Sequence, residues 1–284
     1  MKRILTIQDI SCFGKCSLTV ALPLLSAMGI ETVILPTAVL STHTMFKGFT
    51  CKDLSDQLAP ITAHWKQEGI TFDAIYTGYL GTEEEIEAVK EIFRDFADEN
   101  TLLFVDPAMG DNGKLYPAFD LAYAKKNATL CGAADVIVPN ITEAAFMTGL
   151  PYKDEYDEDY VKELLQALVA LGCGTAILTG VSLSEGKTGA MGLDAKTGEY
   201  FAYQNDRVDA AFHGTGDIFS SVCVGALLQG LARTDALKLA ADYTADTIRI
   251  TKDDPKKPWY GVNFESTIPQ LVDALRAAAP EAYK

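Results

Sequence analysis

The chain has 284 residues, of which 48% are hydrophobic and 22% charged, and this composition is typical of a globular protein with a large buried core. Its formal net charge of −15 argues against nucleic acid and anionic membranes as partners, because both require basic patches. The N-terminal apolar run ends too early for a signal sequence, and no apolar stretch reaches transmembrane length. We therefore expect a cytoplasmic protein.

Apolar runs alternate with amphipathic stretches along most of the chain. The apolar runs predict buried strands at 4–7, 32–39, 74–76, 102–105, 136–138 and 175–178. The amphipathic stretches between them predict helices at 18–28, 54–66, 83–96, 118–130 and 160–171. A hairpin is expected at 189–193 and 199–203, followed by helices at 217–229, 234–252 and 266–278. This order predicts an α/β fold, with a mostly parallel sheet between two helical layers, in a single domain spanning 1–284.

The six cysteines lie in scattered, mostly apolar contexts. Their spacing lacks the Cys-x-x-Cys pattern, and the three histidines are too dispersed for a zinc site. We expect buried, reduced thiols that act as small apolar side chains at Cys12, Cys16, Cys51, Cys131, Cys173 and Cys223.

The segment 213–221 is the most informative stretch of the sequence. Gly214 and Gly216 flank Thr215, Asp217 follows at once, and an apolar helical run begins there. Glycines let a backbone approach a ligand closely, and the free N–H groups at a helix start favour an anion. A carboxylate beside such a site could take a proton from an attacking hydroxyl. The pattern indicates phosphoryl transfer to an alcohol, while a plain loop with Asp217 as helix cap is the alternative.

Lysine and arginine are absent between positions 208 and 222. A polyphosphate bound there would have to be held by backbone amides, by the helix dipole and by metal cations. We therefore predict strict dependence on a divalent cation such as Mg²⁺, with a monovalent cation such as K⁺ as a candidate helper.

Two other nucleotide motifs fail on their spacing. The segment 180–188 resembles a P-loop but has five residues between its glycines instead of four, and it precedes a hairpin. Gly214 and Gly216 lack the third glycine of the dinucleotide fingerprint, because Phe219 stands in its place. A P-loop enzyme and a Rossmann-type dehydrogenase are both disfavoured.

Several predicted strands end in residues with side-chain oxygens. Asp106 and Asp111 follow the strand at 102–105, Asn140 and Glu143 follow 136–138, and Thr179 follows 175–178. The carboxyl ends of parallel strands meet at one edge, where open α/β sheets bind ligands, and Mg²⁺ prefers oxygen ligands. For any one of these segments, a turn or a helix cap remains the alternative.

Together these motifs resemble the ribokinase-like superfamily, most closely its pyridoxal kinase branch, over essentially the whole chain. The resemblance implies that Gly214, Thr215 and Gly216 form the anion hole and that Asp217 is the catalytic base. It implies a role in organising the metal for Glu143 and Asp111. Asp106, Asn140, Thr179 and Gly216 would lie at the ATP phosphates.

The resemblance also implies a substrate side. Ser41-Thr42-His43-Thr44 is similar to the family's Ser-Asn-His-Thr, and Tyr79 lies in a matching Thr-Gly-Tyr. We expect His43, Thr44 and Tyr79 to contact the substrate ring. Asp9 replaces a serine that meets the ring nitrogen or hydroxyl in relatives, so it could accept from a protonated pyridine or indicate another heterocycle.

The implied activity is transfer of the γ-phosphoryl of Mg·ATP to the 5′-hydroxymethyl of a B6 vitamer by a homodimeric enzyme. Hydroxymethylpyrimidine kinase is the nearest alternative, but that branch usually carries Cys where Asp217 stands. A non-catalytic vitamin or nucleotide sensor is the alternative from another class. The loop 259–261 is expected to serve packing or a dimer contact.

Overall fold

A mostly parallel sheet organises the computed structural model, which describes residues 1–283. The strands are β1 (Arg3–Ser11), β2 (Glu31–Leu40), β3 (Cys51–Asp53), β4 (Ala74–Thr77), β5 (Leu102–Val105), β6 (Gly110–Asp111), β7 (Lys114–Leu115), β8 (Val136–Ile137), β9 (Thr175–Val181), β10 (Lys187–Asp194) and β11 (Tyr200–Asp206). The helices are α1 (Leu18–Ala27), α2 (Ser55–Gln67), α3 (Glu83–Phe96), α4 (Leu121–Cys131), α5 (Ile141–Thr148), α6 (Glu158–Val169), α7 (Thr215–Leu228), α8 (Arg233–Asp253) and α9 (Ile268–Ala278). A 3₁₀ turn at Phe264–Thr267 precedes α9.

The order of strands in the main sheet is β11-β10-β9-β8-β5-β4-β1-β2-β3. Strands β2, β1, β4, β5, β8 and β9 are parallel, while β3 at one edge and the β10–β11 hairpin at the other are antiparallel. From β1 the chain first adds β2 on one side of β1, and it later adds β4 on the opposite side of β1, so the strand order reverses there. The crevice for a ligand is therefore expected at the carboxyl ends of β1 and β4.

Helices cover both faces of this sheet, which confirms the predicted three-layer α/β architecture. Alternating strand side chains enter opposite cores, so Leu5 packs with α2 to α6 whereas Ile4 packs with α1, α7, α8 and α9. Within residues 1–283, every helix is too short or too polar to cross a membrane.

Most element boundaries lie within three residues of the sequence prediction. Helix α4 begins at Leu121 because the Asp120 side chain caps it by accepting from the Tyr123 N–H. The sequence prediction missed β3, β6, β7 and α5, which are two to eight residues long and carry little periodic signal.

The cysteine prediction needs one correction. Cys131, Cys173 and Cys223 are buried, but Cys12 and Cys51 are exposed and Cys16 is half-buried. Cys51 begins the edge strand β3, whose three residues are all exposed, and Cys12 follows the end of β1. An apolar neighbourhood in sequence did not reveal that both positions lie outside the core.

Candidate active site

A cleft of about 850 Å³ opens at the carboxyl ends of β5, β8 and β9, beside the start of α7. It brings together the residues that the sequence assigns to catalysis and to the nucleotide, namely Asp106, Asp111, Asn140, Glu143, Thr179, Gly214, Thr215, Gly216 and Asp217. The convergence expected from the strand order is therefore present in the folded chain.

The start of α7 is built on a glycine that cannot be replaced without strain. Gly214 has φ +82°, and a methyl group built on it would lie 1.9 Å from the Lys15 carbonyl oxygen. The first intrahelical hydrogen bond runs from the Ile218 N–H to the Gly214 carbonyl. The amides of residues 215–217 therefore precede the helical ladder, and together with the helix dipole they are suited to bind an anion.

Asp217 does not cap this helix. Helix α7 begins two residues earlier than predicted, its N-cap is Gly214, and no side chain makes a capping hydrogen bond there. The half-buried Asp217 instead accepts from the backbone N–H of Ser17, which comes from a distant part of the chain. The capping alternative for this residue is therefore wrong.

The environment of Asp217 suits a general base. Burial first, and then the negative charge of Asp106, raise the pKa of Asp217 to about 7. A base with a pKa near the working pH balances availability against proton affinity.

Asp106 and Glu143 form a buried acidic pair behind the anion site. The Ser220 hydroxyl donates to Asp106 at 2.6 Å. Burial raises the pKa of both carboxyls, and the charge of Glu143 raises that of Asp106 further.

Glu143 is held by backbone amides. Its carboxylate accepts from the N–H groups of Met109 at 3.0 Å, Gly110 at 3.4 Å and Asn140 at 2.9 Å. Asn140 and Glu143 also form a capping box at the start of α5, and the Asn140 amide donates to the Gly110 carbonyl at 2.8 Å. Glu143 thus fixes the strand end that carries Asp106 and Asp111, and the helix-capping alternative for Asn140 is realised.

The charge balance of the cleft fits a bound divalent cation. Six acidic residues line the cleft in the described part of the chain, together with one arginine, Arg207, no lysine, and one histidine, His213. Among residues 1–283, no three His, Cys, Asp or Glu side chains are arranged to hold a metal ion by themselves. Mg²⁺ commonly keeps waters and uses one or two carboxylates together with substrate phosphates, and this donor set provides that.

The residues that the sequence assigns to the substrate are not among those that line the cleft. Asp9 is buried within β1, and its negative charge contributes to the raised pKa of Asp217. Burial first, and then the charge of Asp9, raise the pKa of Tyr79 to about 12. The half-buried Tyr79 ring lies 5.3 Å from the Phe119 ring. Asp9 is thus close enough to Tyr79 for its charge to affect the Tyr79 hydroxyl, and the contact of both residues with a substrate remains a prediction.

His43 is buried and fixed by two backbone groups. The Met45 N–H donates to Nδ1 at 3.3 Å, so Nε2 carries the proton and donates to the Tyr260 carbonyl at 3.2 Å. Burial lowers the pKa of His43, which keeps the ring neutral. Thr44, next in the chain, is exposed.

The loop 259–261, to which the sequence assigned packing, lies at this end of the site. The Trp259 ring packs 4.4 Å from the Phe46 ring, and the Tyr260 ring lies 4.7 Å from Phe13. Trp259 is nevertheless 59% exposed. Packing of this loop is confirmed, and the loop contacts His43 through Trp259 and Tyr260.

Ser17 and Ser220 contact the acidic residues but were missed from the sequence. A serine directly before a helix is typical of a cap, yet Ser17 makes no capping bond and has φ +50°. Its hydroxyl donates to Asp9 and its N–H to Asp217. That unusual backbone conformation has no signature in the sequence.

The comparisons with known proteins agree with this geometry. The family model described as phosphomethylpyrimidine kinase matches residues 24–260. A candidate phosphomethylpyrimidine kinase from Bacteroides thetaiotaomicron, crystallised with pyridoxal, is 38% identical with a TM-score of 0.90 and 95% coverage of each chain. Pyridoxal kinase from Lactobacillus plantarum is 31% identical with a TM-score of 0.88, covering 98% of this chain and 99% of the other. Pyridoxal kinase from Arabidopsis thaliana is 26% identical over 96% of this chain and 89% of its own length.

The fold and the site define a phosphotransferase. The chain belongs to the phosphomethylpyrimidine kinase family of the ribokinase-like superfamily, where its similarity to pyridoxal kinases extends over nearly its full length.

Proposed function

We propose that the protein is a pyridoxal kinase, which transfers the γ-phosphoryl group of Mg·ATP to the 5′-hydroxymethyl of pyridoxal, pyridoxine or pyridoxamine. The observation that carries this proposal is the position of Asp217. A carboxylate with a pKa of about 7 stands in the first turn of a helix whose free amides form an anion site.

The chemical step uses few protein groups. The amides at Gly214, Thr215 and Gly216 hold the transferring phosphate, and Asp217 accepts the proton of the substrate hydroxymethyl. The freed oxygen bonds to the γ-phosphorus while the bond from that phosphorus to the β–γ bridging oxygen breaks, and ADP leaves. Catalysis of this kind is mainly positioning and charge stabilisation.

The acidic residues of the cleft provide the metal-binding side. Asp106 and Asp111 would hold Mg²⁺, with Glu143 organising their strand end, and the bound ion would neutralise the phosphate charge. Asn140 and Thr179 lie beside the phosphates in this arrangement. K⁺ as a helper ion remains a prediction.

The nucleotide base has an apolar place in the same cleft. Phe212 and Val208 line the cleft from one side, and Ala241, Ala245 and Ile248 of α8 from another. Flat aromatic ligands bind favourably in such slots because apolar area leaves water. The adenine of ATP is proposed to lie there, with its phosphates directed towards Gly216.

The vitamer would lie on the other side of Asp217, in contact with Asp9, His43, Thr44 and Tyr79. The relative that is 38% identical was crystallised with pyridoxal, which supports a B6 vitamer as the acceptor. The free thiols at all six cysteines support a reducing compartment, and hence the cytoplasm. A homodimer remains a prediction from the family resemblance.

Hydroxymethylpyrimidine is the second candidate acceptor, because the matching family model carries that name. A coupled ADP-release assay with pyridoxal, pyridoxine, pyridoxamine and hydroxymethylpyrimidine separates the candidates. We expect turnover of at least one vitamer at a higher kcat/KM than the pyrimidine. Turnover of the pyrimidine alone would refute the proposal, and binding without ADP release would indicate a sensor.

A further inference from the structure

His213 connects the cleft to the residues that the sequence assigns to the substrate. It lines the cleft and directly precedes Gly214, the N-cap of α7. Its ring centroid also lies 5.4 Å from that of His43, which is not among the residues that line the cleft. In phosphoryl transfer, the transferring group lies in line between the leaving and the attacking oxygen. A residue in contact with both regions is therefore placed to meet that group.

Neither ring nitrogen of His213 has a partner within residues 1–283. The side chain makes no hydrogen bond and no ion pair with those residues, and it is exposed. A neutral imidazole carries one N–H donor, and the protonated ring carries two. In either form, His213 thus has a donor that no described protein group uses.

The neighbouring His43 cannot supply such a donor. Its Nδ1 accepts from the Met45 N–H at 3.3 Å and its Nε2 donates to the Tyr260 carbonyl at 3.2 Å, so both nitrogens are occupied. Burial first, and then the charge of His213, lower the pKa of His43 and keep its ring neutral. His43 is therefore a fixed neighbour for the His213 ring, and the free donor of the pair belongs to His213.

Side-chain donors are scarce beside the free amides of residues 215–217. The Thr215 hydroxyl already donates to the Phe212 carbonyl at 3.3 Å. Arg207 also lines the cleft, but it directly follows β11 and does not adjoin the start of α7. A γ-phosphoryl group spreads its charge over three oxygens, so it can accept more than the amides alone provide. His213 is the adjoining side chain that can supply a further donor.

We propose that the His213 ring donates a hydrogen bond to the γ-phosphoryl group of ATP and that the contact with His43 holds the ring in position. The inference rests on the proposed function for the nucleotide in the cleft. The amides of residues 215–217 bind the group from the helix, and the His213 N–H adds a donor from a side chain. Because ADP lacks the γ-phosphoryl group, this hydrogen bond favours ATP over ADP.

Two variants of His213 separate a donor role from a packing role. His213→Phe keeps a ring beside His43 but has no N–H, whereas His213→Gln keeps a neutral N–H donor but loses the ring. The measurement is calorimetric binding of β,γ-imido-ATP with Mg²⁺ and without an acceptor. We expect its Kd to rise about 10- to 100-fold in His213→Phe, the range for loss of a hydrogen bond to a charged group. The rise should be smaller in His213→Gln.

ADP is the matched ligand for the same proteins. Its Kd should stay unchanged in both His213 variants, which also shows that the variants are folded. The control variant is His64→Gln, which replaces an exposed histidine that lies 3.6 Å from Glu68. His64 belongs to α2, whose residues, all of them described, are outside the cleft lining. This control should bind both nucleotides as wild type does.

Equal affinity of wild type and His213→Phe for the imido analogue would overturn the inference. A larger loss in His213→Gln than in His213→Phe, or an equal loss of ADP affinity, would also overturn it, because either result would indicate packing.

The outcome stays separate from that of the proposed function because the titrations contain no acceptor. If wild type binds both nucleotides but phosphorylates no vitamer, the proposed function fails, and the His213 variants still decide the role of this residue. Absence of nucleotide binding by wild type would overturn both proposals.

Discussion

The surroundings of Asp217 disfavour its charged form, which raises its pKa and makes the carboxylate a stronger base. Because burial and Asp106 raise its pKa to about 7, a large part of the enzyme carries a protonated Asp217 below neutral pH. We therefore predict that kcat/KM increases as the pH rises through about 7, where Asp217 loses its proton. A pH–rate profile of the ADP-release assay measures this.

The matched variant is Asp217→Asn, which keeps the shape and the contact with the Ser17 N–H but cannot accept the proton. Its kcat should fall on the order of 10²–10⁴-fold, the usual contribution of a general base, and the rise near pH 7 should disappear. Turnover close to that of wild type would show that another group removes the proton.

Ser17 adopts a backbone conformation that costs free energy, with φ +50° and ψ −134°. Ser17→Ala and Ser17→Gly both lose the hydroxyl bond to Asp9, but only glycine adopts this conformation freely. We predict that Ser17→Gly has a free energy of unfolding about 1 kcal/mol higher than Ser17→Ala. Urea unfolding of the two variants tests the difference, and equal stability would show that Ser17 is unstrained.

At the residue scale, the sequence predicted which acidic residues lie together at the cleft, but it did not predict their hydrogen-bond partners. Asp217, Asp106 and Glu143 were predicted because carboxylates at strand ends have a recognisable chemistry. Ser17 and Ser220 were missed because their roles depend on hydrogen bonds between segments distant in the chain. The functional roles of all these residues, Asp217 included, remain predictions.

At the element scale, the proposed function depends on the backbone at the N-terminus of α7. A methyl group at Gly214 would overlap the Lys15 carbonyl, whereas one at Gly216 would meet no atom within 4 Å. We predict that Gly214→Ala loses both stability and activity. Gly216→Ala should unfold at nearly the wild-type temperature, yet lose most of its kcat/KM, because the methyl group enters the space of the phosphate.

Thermal melting and ADP release on the two glycine variants make this comparison. Full activity in a stable Gly216→Ala protein would contradict the placement of the phosphate at this helix. A destabilised Gly216→Ala protein would contradict the prediction, because it would show that Gly216 is needed for the fold.

The regular elements were predictable because their apolar periodicity reports burial directly. The register shift at Asp9, where two residues of β2 stand opposite one of β1, was not, since it depends on the pairing of the two strands rather than on local composition. Asn140 and Glu143 form the capping box of α5. Their spacing in the sequence is the same whether the two side chains cap a helix or bind a ligand, so the sequence alone does not separate the two roles.

At the scale of the whole molecule, the sheet order accounts for the site. Crossovers between β1, β4, β5, β8 and β9 bring strand ends far apart in sequence to one edge. Strand–helix alternation predicts such an edge, and it placed the candidate residues together. The division of the chain into domains was predicted as a single unit and stays a prediction.

The charge of the molecule leads to a prediction of its own. Since the net charge is −15 and Arg207 is the one Lys or Arg among the described residues around the cleft, we expect bound ATP to need added cations. ADP release should therefore stop in excess EDTA and return when excess Mg²⁺ is added. Activity that persists in the chelator would show that the amides and Arg207 suffice.

The most direct test of the account is the identity of the phosphorylated atom. Wild-type protein, Mg·ATP and pyridoxal, whose one hydroxymethyl group is at the 5′ carbon, should give a phosphate monoester whose ³¹P signal is split by the two methylene protons of that carbon, and Asp217→Asn should form it far more slowly. Inorganic phosphate as the only product, or an ester without coupling to methylene protons, would contradict transfer to the 5′-hydroxymethyl at this site.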